Sequence, residues 1–251
     1  MFDETELPES FEPGTIDETV VPEFEILLED GPLLAVNKPF GLLTQAPEGV
    51  DSLEFRVKDY LIQRERKPGR CYLGVPHRLD RPSSGVILFA KHTRAARRLS
   101  EQFEARTIEK TYWAAVSGDV QPESGTWTDF MKKIKGQPQA AIALPIDPEA
   151  REAILHYKVL DRYDWGTWLE IRLETGRMHQ IRLQAGSRGF PLLGDVQYGS
   201  GVTFGPQFED ERLRGIALHA RSIAFCHPMT REPMTLEAPV PEPWHALGIF
   251  S

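Results

Sequence analysis

The loop at residues 77–85, His-Arg-Leu-Asp-Arg-Pro-Ser-Ser-Gly, carries side chains that could do chemistry on a polar substrate. Asp80 stands between Arg78 and Arg81, and neighbouring positive charges favour the ionised form of a carboxylate. A proline and a glycine within the next five residues predict a tight turn that presents Asp80 outward. An ionised carboxylate in a cleft can serve as a nucleophile or a base. By itself, the same stretch also fits a surface ion pair at the end of a strand.

A second candidate is the segment Lys110-Thr111-Tyr112-Trp113, which has the composition of a β-strand. The alternation of side chains predicts that Tyr112 shares a face with Ala114 and lies opposite Trp113. A tyrosine beside a reactive carboxylate can stack on a planar base, which contributes roughly 1–3 kcal/mol per base in single-strand binders. Ordinary sheet packing with a hydrogen-bonded hydroxyl is the alternative interpretation.

A third candidate is residues 175–182, Thr-Gly-Arg-Met-His-Gln-Ile-Arg, at a predicted turn into a short helix. The forked donors of Arg177 and Arg182 suit binding to phosphate or carboxylate groups. His179 is expected to be a structural hydrogen-bonding residue, because no spacing of Cys, His or Asp around it matches a metal site.

Metal, nucleotide-cofactor and serine-hydrolase sites are not expected. Cys71 and Cys226 are the two cysteines of the chain, too few for a metal quartet or a disulfide framework. There is no phosphate-binding glycine loop, and Ser83 and Ser84 lack the Gly-x-Ser-x-Gly turn of hydrolases. The sequence therefore predicts catalysis without cofactor or metal. With no secretory signal at Met1, it also predicts a reducing, cytoplasmic setting.

The elements that must position these side chains follow from hydrophobic periodicity. Ser52 and Thr93 are expected to act as helix N-caps. Strands are predicted at residues 25–28, 33–36, 86–90, 110–116, 156–162, 168–174, 218–226 and 233–237, and helices at 52–63, 93–106 and 180–185. Their irregular order favours an α+β (mixed α/β) fold with a largely antiparallel sheet. Residues 135–154 show no confident pattern.

Charge along the chain is uneven, and this changes which partners are plausible. The net charge of −8 argues against a nucleic-acid partner, which requires a basic surface. However, residues 38–251 hold all 29 Lys and Arg but only 26 of the 37 Asp and Glu. Residues 1–22 hold seven acids and no base, and are predicted to form a mobile acidic tail. Residues 23–251 are predicted to form a single domain. No apolar run reaches the length of a membrane span, so an integral membrane protein is excluded.

Three basic clusters are candidates for phosphate contacts, and solvated surface is an equally plausible interpretation of each. They are Arg64/Arg66/Lys67/Arg70, Arg94/Arg97/Arg98 and Lys132/Lys133/Lys135.

Taken together and in this order, the segments resemble the RluA family of RNA pseudouridine synthases. Its HRLD, K-x-Y and TGR-x-HQIR motifs stand here at residues 77–80, 110–112 and 175–182. Lesser family marks are Asn37-Lys38-Pro39-x-Gly41, Gly194-Asp195-x-x-Tyr198-Gly199, Leu218-His219-Ala220 and His227-Pro228. The resemblance extends from about residue 26 to 244. It implies the pseudouridine synthase fold, a cofactor-free isomerase and structured RNA as the partner.

The resemblance also implies three catalytic residues. Asp80 matches the essential aspartate that initiates isomerisation of uridine. Arg182 matches the basic residue that pairs with this aspartate, and Tyr112 matches the tyrosine that packs against the uracil ring. Whether Asp80 attacks the sugar, attacks the ring or removes a sugar proton stays open.

Further residues are implied in substrate binding. Ile181 matches the apolar residue under the target base. Arg78 resembles the arginine that enters the RNA helix where the uridine has been flipped out. His77 and Arg177 belong to the same motifs and are predicted to contact the substrate.

The choice of RNA and two other functions stay open. The body resembles the compact members of the family, including those that act on tRNA, and Pro82-Ser83-Ser84 resembles the TruC branch. Transfer RNA and large-subunit ribosomal RNA are both candidate substrates, and a monomer is expected. An RNA chaperone on the same fold that flips bases without chemistry is one alternative. A hydrolase that releases free uracil is another.

Overall fold

The computed structural model describes residues 19–66 and 71–249. Residues 1–18, most of the predicted acidic tail, lie outside the described residues. Within the described ranges, one sheet of ten strands is flanked by three α-helices and by loops. The strands are β1 (Glu25–Asp30), β2 (Leu33–Lys38), β3 (Ser84–Ala90), β4 (Glu109–Val116), β5 (Ser124–Lys133), β6 (Ala140–Ala143), β7 (Arg151–Tyr163), β8 (Gly166–Leu173), β9 (Leu218–Cys226) and β10 (Pro233–Glu237); the helices are α1 (Leu53–Arg64), α2 (Thr93–Glu104) and α3 (Gln180–Gly186).

The α+β class and the largely antiparallel sheet are confirmed. The strand order is β1-β2-β3-β9-β4-β8-β7-β5-β6, with β10 paired to β9. Among the described strands, β3 and β9 are the only parallel pair, and they pair only at Ser84 and Gly85. Gly85 has a φ of +119°, and a Cβ on it would lie 2.3 Å from the carbonyl oxygen of Ala220. A glycine is therefore required where the two halves of the sheet join.

The helix starts were predicted with mixed success. Ser52 caps α1, because its side chain accepts a hydrogen bond from the Phe55 amide at 3.2 Å. Thr93 was wrong as the cap of α2. His92 occupies that position, and its Nδ1 accepts from the Arg94 amide at 3.1 Å. A ring nitrogen can accept the orphan amide as a hydroxyl does, although histidine is not among the preferred capping residues. No helix in the described part of the chain is long and apolar enough to cross a membrane.

The hairpin of β5 and β6 at one end of the sheet was not predicted. Strand β6 reads Ala-Ala-Ile-Ala, and alanine has low strand propensity. In β5, Trp127 and Met131 are the buried residues and lie four positions apart, so the two-residue alternation is weak. Strand β7 also begins at Arg151, five residues before its predicted start. This hairpin flanks the cleft described below.

The two faces of the central strands pack against different partners. Ala114 and Val116 of β4 lie in a core with Ile181 and Ala185 of α3. Tyr112 packs against that same core, as the alternation predicted. Ala115 and Trp113 face the opposite side, where Trp244 and its neighbours cover the sheet. Helix α3 is therefore fixed on the same face as Tyr112.

Candidate active site

A cleft of about 1460 Å³ opens on this face, over the centre of the sheet. Three separate parts of the chain meet there. Asp80 comes from the loop before β3, Tyr112 from β4, and Ile181 and Arg182 from the start of α3. The three motifs singled out in the sequence therefore line one cavity, which also includes His77, Arg78 and Arg177.

The backbone of the Asp80 loop (residues 79–83) is held by buried hydrogen bonds. Thr44 donates through Oγ1 to the Leu79 carbonyl at 2.9 Å and accepts from the Leu79 amide at 3.1 Å. The Ser83 hydroxyl and amide both donate to the Asp80 carbonyl, at 2.9 and 3.2 Å. Because buried backbone groups are costly to leave unpaired, these bonds restrict where Asp80 can lie.

Lys38 supports the same loop from beneath. Its side chain is fully buried, and Nζ donates to the carbonyls of Pro39, Arg81 and Ser83 at 2.9, 3.2 and 2.7 Å. Burial lowers the pKa of Lys38 to about 7, and the nearby charge of Asp80 opposes this shift. Three carbonyl acceptors match the three donors of an ammonium group, so the charged form ties the loop to the end of β2.

Arg182 is shared between two carboxylates. Its Nε and Nη2 donate to the two oxygens of Asp195 at 2.7 and 2.8 Å, in the bidentate geometry typical of strong pairs. Its Nη1 lies 3.6 Å from Oδ2 of Asp80. Desolvation is the largest influence on the pKa of Arg182 and lowers it, but the hydrogen bonds that Arg182 donates to Asp195, together with the nearby carboxylate charges, raise this pKa above its ordinary value.

These distances correct one expectation. Among the described residues, Asp80 forms no ion pair with Arg78 or Arg81, its neighbours in sequence; its charged partner is Arg182, and His179 lies beside it. Successive side chains of an extended loop point in different directions, so adjacency in sequence did not bring the charges together. Arg182 does face Asp80, as the resemblance implied, but its closer partner is Asp195.

His179 also borders the reactive carboxylate. It precedes α3 in the left-handed conformation, with φ of 52°, and its Nδ1 lies 2.9 Å from the Tyr198 hydroxyl. Its Nε2 lies 3.8 Å from Oδ1 of Asp80. Burial lowers the pKa of His179 despite the nearby Asp80 charge, so the ring is neutral near pH 7. The predicted hydrogen-bonding role is present, while the proximity to Asp80 was not foreseen.

Tyr112 and Ile181 form apolar walls beside the carboxylate. Tyr112 lies in β4 between Ile171 of β8 and Ala220 of β9. Burial, with a smaller contribution from Asp80, raises the pKa of Tyr112 above its ordinary value, so its hydroxyl keeps its proton. Ile181 is buried in the core beneath the cleft. Both side chains line the cleft that Asp80 also lines, and an aromatic ring there can stack on a planar base.

His77 lines the cleft, but its ring is already engaged. Its Nε2 accepts from the Leu88 amide at 2.9 Å, and the ring stacks on Phe103 at 4.5 Å. Burial, with a smaller contribution from the charge of Lys110, lowers the pKa of His77 to about 3. His77 therefore supports the edge of β3 between its short pairing with β9 and the bridge of Ala90 to Gly74. Its predicted contact with substrate stays a prediction.

Arg78 and Arg177 lie at the rim. Arg78 is exposed, and Arg177 donates through Nε to the Glu152 carbonyl at 2.9 Å. Gln180, which sequence reasoning missed, closes this turn: its Oε1 accepts from Thr175 Oγ1 and the Arg177 amide at 2.8 and 2.9 Å. The TGR-x-HQIR motif is thus a turn held by its own glutamine.

Basic residues dominate the remainder of the cleft rim. They are Arg106, Lys110, Lys132, Lys133, Lys135, Arg151 and Arg172, against Glu109, Glu149 and Glu174. Of the three predicted basic clusters, only Lys132/Lys133/Lys135 lines the cleft. In the first cluster, Arg64 pairs with Glu29, and Lys67 and Arg70 lie outside the described residues. In the second, Arg98 donates to the Pro228 carbonyl and is only partly exposed.

Several residues of the site were not named as site residues from the sequence. Lys38, Asp195 and Tyr198 fall in the lesser motifs, which could have indicated them. Thr44 and Gln197 carry no signal in sequence. Within residues 19–66 and 71–249, no three His, Cys, Asp or Glu side chains come together as metal ligands.

The chain is similar to known proteins over most of its length. The model of the RNA pseudouridylate synthase family matches residues 32–187. The chain is 34% identical over 233 residues to "Uncharacterized RNA pseudouridine synthase slr1629" of Synechocystis sp., covering 90% of this chain and 68% of the relative. It is 35% identical over 229 residues to ribosomal large subunit pseudouridine synthase D of Xanthomonas campestris, covering 86% and 66%.

Solved structures agree in fold. The human RNA pseudouridylate synthase domain containing 4 superposes with a TM-score of 0.71 at 22% identity, covering 89% of this chain and 93% of the other. The pseudouridine synthase fold is thereby confirmed, and these comparisons do not support the RNA-chaperone alternative. The RluA-type motifs, the fold and the relatives agree, and the chain belongs to the RNA pseudouridine synthases, a family of isomerases.

Proposed function

We propose that Asp80 initiates the isomerisation of a uridine flipped out of a structured RNA, with Arg182 as its charged partner. One observation carries this proposal: the Asp80 carboxylate lies 3.6 Å from Arg182 Nη1, in a cleft that Tyr112 and Ile181 also line. A buried cation next to a carboxylate fixes its orientation and compensates its charge.

The reaction is balanced without any second substrate. The bond between uracil N1 and ribose C1′ breaks, the uracil turns, and a bond forms between its C5 and C1′. The hydrogen on C5 leaves as a proton, and N1 gains one. Because no electron is transferred overall, the chemistry needs no redox cofactor. Free uracil must not escape between the two steps, and the walls formed by Tyr112 and Ile181 would retain it.

Base flipping is supported by the same cleft. A paired uridine is inaccessible, and its extrusion costs a few kcal/mol. We propose that Tyr112 stacks on the uracil and that Arg78, which is exposed at the rim, occupies the space that the base leaves. We propose Arg177 and the lysines of the β5–β6 hairpin as contacts to phosphates, since RNA stems are bound largely through shape and backbone.

The substrate we propose first is large-subunit ribosomal RNA. Relatives named ribosomal large subunit pseudouridine synthases C and D, from Vibrio vulnificus and Xanthomonas campestris, are 32% and 35% identical to this chain. Transfer RNA is the second candidate, through the resemblance of residues 82–84 to the TruC branch. In the structure, Ser83 and Ser84 are buried and bond to Asp80 and His219, so this stretch supports the loop.

We propose further that residues 23–251 act as one catalytic unit, with residues 1–22 as an acidic tail, and that the protein works as a cytoplasmic monomer. The lack of a membrane-spanning helix among the described residues and the ribosomal names of the relatives support the location. Sedimentation of the purified protein with and without RNA tests the monomer.

The test of the function uses RNA tritiated at uracil C5. Wild type is expected to release tritium from ribosomal RNA without releasing free uracil, and Asp80→Asn is expected to release none. Asp164→Asn, in an exposed turn, is the matched control and should behave like wild type. Free uracil in the wild-type reaction would indicate the hydrolase instead. No label release from ribosomal RNA or tRNA would contradict the proposal.

A further inference from the structure

Two neighbouring residues connect the β5–β6 hairpin to the catalytic pair. Both lie in the 3₁₀ turn Val196–Tyr198, which we name the bridge turn. Gln197 contacts both sides: its Nε2 donates to the Pro138 carbonyl in the hairpin at 3.2 Å, and its Oε1 accepts from Arg182 Nη2 at 2.9 Å. A single amide therefore links the hairpin backbone to the guanidinium that faces Asp80.

Tyr198 makes a second, parallel link. Its hydroxyl accepts from the Ala140 amide at the start of β6 at 3.1 Å, and lies 2.9 Å from His179 Nδ1. The Arg182 guanidinium lies over its ring, 5.0 Å from the centroid. Through Arg182 and His179, the tyrosine contacts both groups that flank the Asp80 carboxylate.

The bridge turn begins directly after Asp195, whose carboxylate holds Arg182 through two hydrogen bonds. Asp195, Gln197 and Tyr198 therefore contact one guanidinium from within four consecutive residues of the chain. Any displacement of this segment must move Arg182, because the bidentate pair is buried and its bonds are short.

The hairpin includes a short strand at the edge of the sheet. Strand β6 has four residues and forms the end of the sheet, so within the described residues one of its edges has no neighbouring strand. Segments with few buried apolar contacts open more readily than the core of a fold. Lys133 and Lys135 are exposed in this hairpin and line the cleft.

From this arrangement we infer that Gln197 and Tyr198 are positioning residues that couple the β5–β6 hairpin to the Asp80–Arg182 pair. RNA held by Lys133 and Lys135 fixes the hairpin, and the bridge turn transmits that position to Arg182 and His179. The carboxylate then acquires its reactive orientation only when RNA occupies the hairpin. This inference rests on the proposed function of the cleft.

Two conservative substitutions test the links. Tyr198→Phe removes only the bridging hydroxyl, and Gln197→Met removes both amide contacts from an exposed side chain. For each we expect kcat for tritium release to fall about tenfold, as for a displaced catalytic group, with KM within about twofold of wild type. Tyr163→Phe, at the far end of β7, is the matched control and should leave both constants unchanged. Gln197 is exposed, so Gln197→Met is expected to fold like wild type, and thermal melting checks this.

A double-mutant cycle distinguishes coupling from a local effect. Lys133→Ala should raise KM in every background. We expect it to lower kcat about threefold in wild type and to leave kcat unchanged in the Tyr198→Phe background. Equal kcat losses in both backgrounds, or unchanged kcat in both Tyr198→Phe and Gln197→Met, would overturn the inference. An inactive wild type would instead contradict the proposed function.

Discussion

The two walls of the cleft are built in opposite ways. The Asp80 loop is held from within by Lys38 and Thr44, which are almost fully buried and bind its backbone. The β5–β6 hairpin forms the end of the sheet and exposes Lys133 and Lys135 to solvent. A reacting carboxylate must be held still, whereas charges that attract RNA should stay hydrated until a phosphate replaces the water. The Asp80 loop therefore serves mainly the chemistry and the hairpin mainly the binding, with the bridge turn between them, and changes to each wall should have different kinetic effects.

The largest effect is expected at the carboxylate itself. Asp80→Asn keeps the shape of the side chain and removes its charge, so kcat should fall by about a thousandfold or more. The dissociation constant for RNA, measured by filter binding, should change by less than about threefold. A large loss of RNA affinity would show that the two walls do not divide chemistry from binding.

Removal of Lys38 should release the loop as a whole. Lys38→Met leaves three buried carbonyls without their charged donor, and we expect the free energy of unfolding in urea to fall by about 3 kcal/mol or more. Tritium release at saturating RNA should fall as well. Lys58→Met is the matched control, because Lys58 pairs with Glu54 on the surface of α1 and should contribute less than about 0.5 kcal/mol. Equal losses in the two variants would contradict the proposed role of burial.

Mild acid should lower the stability of the protein through two buried histidines close to the Asp80 loop. Burial lowers the pKa of His77 to about 3 and that of His219 to about 4. In the unfolded chain these rings take up a proton below about pH 6.5, while the folded protein keeps them neutral, so stability is lost as the pH falls from 6.5 toward 4. Urea unfolding at pH 7.0 and 5.5 should differ by about 1 kcal/mol for each histidine.

The variant His77→Gln assigns part of this pH dependence. It should reduce the difference between pH 7.0 and 5.5 by about half, because only His219 then contributes among these two residues. A variant that keeps the full difference would show that His77 does not sense the pH.

Salt should weaken RNA binding at the β5–β6 hairpin, and this is the smallest of the expected effects. Replacing Lys133 and Lys135 together with alanine should raise KM about tenfold and reduce the slope of log affinity against log salt by about one to two. Lys158→Ala, on β7 and outside the cleft, is the control. An unchanged salt slope would mean that the hairpin lysines do not contact phosphate.

Sequence reasoning located most of the fold and the centre of the site. Strands β9 and β10 match the predicted bounds, because apolar residues and turn signals delimit them clearly. The three motifs were predicted to form one site, and the structure places them in one cleft.

The supporting residues were harder to find, for a physical reason. Thr44 acts through the backbone of Leu79, 35 positions away, and no local pattern distinguishes it from any other threonine. Asp195 becomes the main partner of Arg182 only through the path of the chain after α3. The β5–β6 hairpin was missed because alanine-rich edge strands lack a strong alternation. What escaped prediction therefore depends on tertiary contacts.

The pairing of Arg182 with Asp195 has a consequence for where the base and the phosphates of a nucleotide bind in the cleft. Asp195 and Asp80 together balance the positive charges of Arg182 and the buried Lys38, and His179 is neutral, so the interior of the cleft carries no excess positive charge. The rim around it is strongly positive. Phosphates are therefore drawn to the rim and gain no net attraction by moving inward, while an uncharged uracil can enter without losing a charge interaction. The electrostatic potential of the cleft therefore favours entry of the base and keeps the phosphates of the backbone at the rim.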